Sequence, residues 1–383
     1  MDLSRRAFVR SVGLGGAGAL STAFIIARGR EELAASGLET VQNPPLVPPG
    51  FIRISGNENP RGPGHSALAA LDGRVTPGVG RYPDNPPDLA DTIGEMYGTD
   101  SDHVLVSTGS AGLLAAAVRA FTSPTQALVN GSPSYGAPVG TARRIGTPVK
   151  EVPVKANLEL DLDGMVEAAQ GAGLVFLCNP NNPTSTFYSL DQVANFISRV
   201  RSTSPNTIIH VDEAYIDYAD RFGETAVPLS LQDSHVFVTR TFSKAYGMAG
   251  LRLGYAIGQP RTLQAMNNVW GLGSVNSFTA AAAIASLRDP EHMARERAEN
   301  KRVRDFTLKT FKGLGVNAPA SQTNFLFINL GHPASVFRTA CLQHNVQVGR
   351  DFPPLEKTHC RVSIGTMEEM EVAAEVFKSA LKA

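Results

Sequence analysis

The stretch HVFVTRTFSKAYGMAGLRLGY, His235 to Tyr255, opens on an apolar run and closes on another, GYAIG, Gly254 to Gly258. Each run is too short for a globular helix and is bounded by turn residues, so each reads as a strand. Working outward, HVLVS (His103 to Ser107), ALVNG (Ala127 to Gly131), LVFLCN (Leu174 to Asn179) and IIHVDEAY (Ile208 to Tyr215) have the same texture. They alternate with helical patterns such as GLLAAAVRAF (Gly112 to Phe121) and QVANFISRV (Gln192 to Val200). Runs that are apolar throughout belong to strands buried on both faces. The expected fold class is therefore α/β, a mainly parallel sheet covered by helices.

After about Pro260 the texture changes to a long charged helical pattern, EHMARERAENKRVRDFTLKTF, followed by FLFINL and CRVSIG. That predicts a smaller α+β C-terminal domain over 261–383 beside a large domain over 57–260. Residues 38–56 read as an extended arm, because Asn43 to Gly50 is Pro-rich and cannot continue a helix.

The N-terminal stretch SRRAFVRSVGLGGAGALSTAFIIA, Ser4 to Ala27, holds a literal G-x-G-x-x-G at Gly13, Gly15 and Gly18. A dinucleotide loop needs a strand before it and an acidic residue roughly 20 positions on. Here Arg5, Arg6 and Arg10 precede the glycines and an uncharged run follows. Residues 1–37 therefore read as a twin-arginine-like export signal, which predicts a periplasmic or otherwise extracytoplasmic location, or a cytoplasmic one if the signal is not used. A retained anchor and a disordered tail are the alternatives. The run is short and Gly-rich, and no stable membrane span is expected.

The 383 residues carry 35 Lys plus Arg against 35 Asp plus Glu, a balance that argues against a generic nucleic-acid binder. Cys178, Cys341 and Cys360 are too few and too scattered for a disulfide framework or a metal site, so no metal is expected. Export would make a Cys341–Cys360 bridge chemically possible.

The chemistry concentrates at strand ends. Thr241 and Ser243, with Arg252 nearby, suit an oxyanion such as phosphate. Lys244 beside them could form a Schiff base with a phosphorylated aldehyde, although a lone lysine is more often a solvated surface residue. Asp212 ends another strand with Tyr215 three residues on, Asn182 sits in a turn after a third, and Gly109 and Ser110 lie at a strand-to-helix junction that favours an anion. Ligands of open α/β sheets bind beyond the carboxyl ends of the strands, so these loops should converge on one crevice. Taken singly, Asp212 could be a helix cap, Asn182 turn chemistry and Ser110 an N-cap.

From GNENP (Gly56 to Pro60) through RYPD (Arg81 to Asp84), SPSYGAP, NPNNPT, VDEAY and TFSKAYGMAGLRLGY to CRVSIGT (Cys360 to Thr366), the chain resembles the fold-type-I pyridoxal-phosphate aminotransferases of class I/II, most of all their histidinol-phosphate aminotransferase branch. The resemblance implies the pyridoxal-phosphate (PLP) transferase fold and its cofactor. It gives Lys244 as the covalent attachment point, Asp212 as partner of the pyridine nitrogen, and Asn182 and Tyr215 as partners of the ring oxygen. Tyr135 would stack on the ring, and Gly109, Ser110, Ala111, Thr241, Ser243 and Arg252 would hold the phosphate. Arg361, Arg350 and Asn324 fall on the substrate side. A homodimer is implied, with the arm before Asn57 contributing to the partner's crevice.

Three departures stand out: Arg61 where that branch usually has tyrosine, no acidic pair in GSAGLL, and Ser185 where glycine is usual. The expected activity is ping-pong transfer of an amino group between an amino acid, or a histidinol phosphate-like amine, and a 2-oxo acid. A decarboxylase or lyase on the same scaffold, resembling threonine-phosphate decarboxylase, is the alternative, and a non-catalytic cofactor-binding protein the third reading.

Overall fold

The computed structural model describes residues 48–78, 80, 89–269, 272 and 274–382. The export-signal reading and the RYPD segment lie outside them. Eleven strands occur among the described residues. They are β1 (Ile52–Arg53), β2 (Val104–Ser107), β3 (Leu128–Ser132), β4 (Val149–Pro153), β5 (Leu174–Cys178), β6 (Ile208–Asp212), β7 (Val236–Thr241), β8 (Gly254–Gly258), β9 (Phe325–Asn329), β10 (Val346–Gln347) and β11 (His359–Ser363). Seven form one sheet in the order β2-β8-β7-β6-β5-β3-β4, in which only β8 runs against its neighbours. The expected α/β class with a mainly parallel sheet is what the chain adopts.

Alternation along the central strands shows why their sequences are apolar at nearly every position. On β5, Val175 and Leu177 face one core together with Val193, Phe196 and Val200 of the helix Leu190–Thr203. Leu174, Phe176 and Cys178 face the other, against Leu113, Leu114 and Ala117 of the helix Ser110–Phe121. Both faces are thus covered, and a polar residue placed on either without a partner would be costly. The helix Leu190–Thr203 starts on a capping box in which Ser189 accepts from the Gln192 amide and Gln192 accepts from the Ser189 amide.

A separate core gathers β9 and β11, an antiparallel pair, with Phe311, Phe337 and Phe377 from three helices. Ile54 joins it, and β1 pairs in parallel with β10, so the chain enters the fold through the C-terminal part. The segments after Pro260 divide between the cores. Ala280, Ala282 and Ala283 of the helix Ser277–Leu287 pack with the large sheet's core, and Val303 and Phe311 of the helix Pro290–Gly313 with the smaller one. The three cysteines are free and buried, Cys341 and Cys360 both in the smaller core. No described helix is long and apolar enough to cross a membrane.

Candidate active site

The parallel strands β2, β3, β5, β6 and β7 end on one edge of the sheet, and each delivers a polar loop there. Because β8 runs the other way, its start, with Arg252 just before it, reaches the same edge. The loops enclose a cavity of about 260 Å³ lined by Ser110, Ala111, Tyr135, Asn182, Asp212, Tyr215, Thr241, Ser243, Lys244, Arg252, Arg350 and Arg361, and by Gly56, Asn57 and Ala214.

Gly109 caps the helix Ser110–Phe121 at φ +87°, and a Cβ there would lie 2.5 Å from the Arg252 guanidinium. Gly254 is equally constrained, since its Cβ would meet the Ser110 amide nitrogen at 2.4 Å. The two glycines let a helix N-terminus, with its unpaired N–H groups, close on an arginine. Arg252 NH1 donates to Ser243 Oγ at 3.3 Å and to the Ala249 carbonyl at 2.8 Å. Arg252 itself holds φ at +56°, a left-handed conformation that a side chain seldom adopts. Helix terminus, Thr241, Ser243 and Arg252 together form a cradle with the chemistry of a phosphate site.

Asp212 is buried at the end of β6 and accepts from Thr239 Oγ1 at 2.7 Å. Burial pushes its carboxyl up to about 6, and the Thr239 hydroxyl opposes this. Lys244 Nζ donates to the Gly56 carbonyl at 3.2 Å and lies 5.6 Å from the centre of the Tyr215 ring. Burial, and then the Arg361 guanidinium, push its amine down to about 8. The Tyr215 hydroxyl accepts from Asn182 Nδ2 at 3.2 Å and from Asn57 Nδ2 at 3.1 Å, and burial raises its pKa far above the usual phenol range. Arg361 NH1 donates to Asn182 Oδ1 at 2.9 Å and NH2 to the Ser55 carbonyl at 2.6 Å, while its buried Nε has no partner among the described residues. Arg350 and Arg361 also line a neighbouring cavity of about 570 Å³ with Arg338.

Most of the residues singled out from the sequence therefore meet. Asn324 is not among those lining the cavity: its Nδ2 holds the Glu58 carbonyl at 3.2 Å. Asn57 is an addition. Its backbone stands at φ +55°, and its side chain accepts from Ser363 Oγ at 2.7 Å. The run GNENP carries the signal, a polar cluster that follows the apolar β1 region at once. Arg61 makes a two-pronged ion pair with Glu296, 2.7 Å at its shortest.

The cavity thus joins a lysine whose amine is depressed, a buried carboxyl, a hydroxyl-and-arginine cradle and a buried arginine with one unpaired Nε–H among the described residues. The chain belongs to the aminotransferase class I and II family, whose model matches residues 49–377, and it is a transaminase. It is 34% identical over 335 residues to a histidinol-phosphate aminotransferase of Symbiobacterium thermophilum, covering 86% of this chain and 91% of that one. It is 36% identical over 350 residues to an aromatic amino acid aminotransferase of Mycobacterium avium, covering 90% and 95%. The crystal structure of histidinol-phosphate aminotransferase from Sinorhizobium meliloti in complex with pyridoxal-5'-phosphate superposes with a TM-score of 0.79 at 27% identity, covering 87% and 91%.

Proposed function

We propose that this chain binds PLP in the cavity at the sheet edge and transaminates an amine that carries an anionic group, in the manner of the histidinol-phosphate branch. The observation that supports this most is the depressed Lys244 amine beside buried Asp212, with a phosphate cradle on one side and Arg361 on the other. The bound cofactor supplies an electron sink conjugated to the substrate's Cα. Lys244 is its attachment point, and because its amine sits near 8, a useful fraction is unprotonated at neutral pH and able to move a proton at Cα. Asp212, ionised, favours a protonated ring nitrogen. Tyr215 and Asn182 donate towards the ring oxygen, and the Ser110 helix terminus, Thr241, Ser243 and Arg252 hold the phosphate.

Arg361, which lines the cavity, takes the substrate's anionic group, and Arg350, stacked 4.6 Å over Phe352, flanks it. The three arginines of the adjoining cavity favour substrates with a phosphate or carboxylate at the distal end. A homodimer, export through the Arg5–Arg6 signal and the ring-stacking role of Tyr135 belong to the same proposal. The test incubates purified holoenzyme with a panel of phosphorylated, aromatic and acidic amines plus 2-oxo acids. Amino transfer without CO2 release is the expected result. Release of CO2 in step with amine consumption would replace transamination by decarboxylation.

A further inference from the structure

A fully buried imidazole lies one hydroxyl away from the Asp212 carboxylate. His210 precedes Asp212 by two residues on β6, so both side chains leave the same face of the sheet. Thr239 on β7 is the register partner of Asp212 and points to that face as well. The Thr239 hydroxyl lies 2.7 Å from Asp212 Oδ1 and 2.7 Å from His210 Nε2. Phe237 stacks on the imidazole at 4.3 Å and Phe176 meets it edge-on at 5.0 Å, which fixes the ring in place. His210 and Thr239 are both inaccessible to solvent.

The proton inventory settles the direction of this chain. Thr239 owns one hydroxyl proton, and an ionised carboxylate can only accept. With that proton directed to Asp212, the contact to His210 requires Nε2 to carry hydrogen. Nδ1 is then a lone pair, and it has no partner among the described residues. An orphaned acceptor is tolerated better than an orphaned N–H, so the same tautomer follows from the other end of the ring. Burial also holds the imidazole at about 3, well below its usual range, so His210 stays neutral. In this tautomer the His210 N–H polarises the Thr239 hydroxyl, which strengthens the bond to the carboxylate.

We infer that His210 is a positioning residue which, through the Thr239 hydroxyl, orients the Asp212 carboxylate towards the cofactor's ring nitrogen. This rests on the reading that Asp212 faces that nitrogen. Without the relay one carboxylate oxygen loses its donor, and Asp212 can rotate about its side chain or take up a proton.

The test measures PLP dissociation from the full-length protein for five variants. Thr239→Val should weaken binding about tenfold, as loss of a hydrogen bond to a charged group does, and His210→Phe about threefold. The double variant should bind no worse than Thr239→Val alone, because both remove the same relay. His210→Gln keeps an N–H donor and should restore affinity. Losses that multiply in the double variant, or a His210→Phe protein that binds like wild type, would overturn the relay. If His210→Phe does not fold, nitrogen-15 spectra of histidine-labelled wild-type protein decide: an Nε2–H tautomer that does not titrate around neutral pH is expected, and an Nδ1–H tautomer refutes the inference. Asp212→Asn separates the two layers. Normal PLP binding in that variant overturns the reading of Asp212 and the relay with it. Weak binding there, beside wild-type binding in the His210 and Thr239 variants, overturns the relay alone.

Discussion

Replacing Lys244 with methionine should make the cofactor-free protein more stable at neutral pH. A side chain whose folded pKa is depressed binds fewer protons in the native than in the unfolded state. The displacement of the amine from 10.5 to about 8 corresponds to about 3 kcal/mol of disfavoured ammonium. The stem is packed by protein, yet Lys244 is only half-buried and its amine faces the cavity. Solvent screening therefore reduces the effect to about 1–2 kcal/mol. The sign follows from linkage. The destabilisation is fully present below about pH 8, shrinks as pH rises from there, and is gone above about 10.5, where the amine is neutral in both states. Urea unfolding of cofactor-free wild type and Lys244→Met should show a stability difference largest near pH 7 that declines between about pH 8 and 10.5. Loss of the 3.2 Å bond to the Gly56 carbonyl subtracts a constant and leaves the slope intact. A difference that does not vary with pH would show that the amine is not held near 8.

Four further outcomes are expected. Arg361→Leu should raise KM for both the amine and the 2-oxo acid about a hundredfold, and Arg361→Lys should recover little of it, because a point charge cannot replace the planar fork that spans Asn182 and Ser55. Arg252→Ala should weaken cofactor retention about tenfold with KM for substrates nearly unchanged, measured by dialysis and reconstitution. Ser185 sits at φ +63°, and Ser185→Gly should stabilise the protein by about 0.5–1 kcal/mol in thermal or urea unfolding, the bond from its Oγ to the Thr184 carbonyl being lost in exchange. Arg61→Tyr should lower stability by about 1–2 kcal/mol, since it leaves the buried Glu296 without its cation, and should leave substrate preference unaltered in the amine panel.

Strand ends were legible in the sequence because buried parallel strands announce themselves as unbroken apolar runs, and the polar residue that follows such a run lies at the sheet edge. Lys244, Asp212, Asn182 and Ser110 are all of this kind. What was not legible depends on partners far apart in the chain. Arg61 and Glu296 are separated by 235 residues, and Asn324, which does not line the cavity, holds the carbonyl of Glu58, 266 residues distant. The helix Ser277–Leu287 carries alanines that suit either core, and its packing against the helices His65–Gly78 and Leu89–Tyr97 gives it to the large sheet. Ser185 shows the reverse case. Its place in NPNNPTS marks a turn, yet only the observed φ shows why glycine would be at ease there.

One physical cause, burial, moves the two central ionisable groups of the site in opposite directions. It lowers Lys244 to about 8 and raises Asp212 to about 6, so the amine is less firmly charged and the carboxylate less firmly ionised than either would be in water. Within the protein the amine meets only the Gly56 carbonyl and the carboxylate is held by the Thr239 hydroxyl, so under the proposed function a carbonyl and a basic ring nitrogen would give each group a stronger partner. Arg252 and the helix terminus likewise concentrate positive potential where they hold no carboxylate among the described residues. The left-handed Arg252 backbone and the buried, unpaired Arg361 Nε are further arrangements that disfavour the empty site. Bound cofactor should therefore raise the stability of the folded protein, whereas a variant that relieves any of these disfavoured arrangements should stabilise the empty protein and weaken cofactor retention.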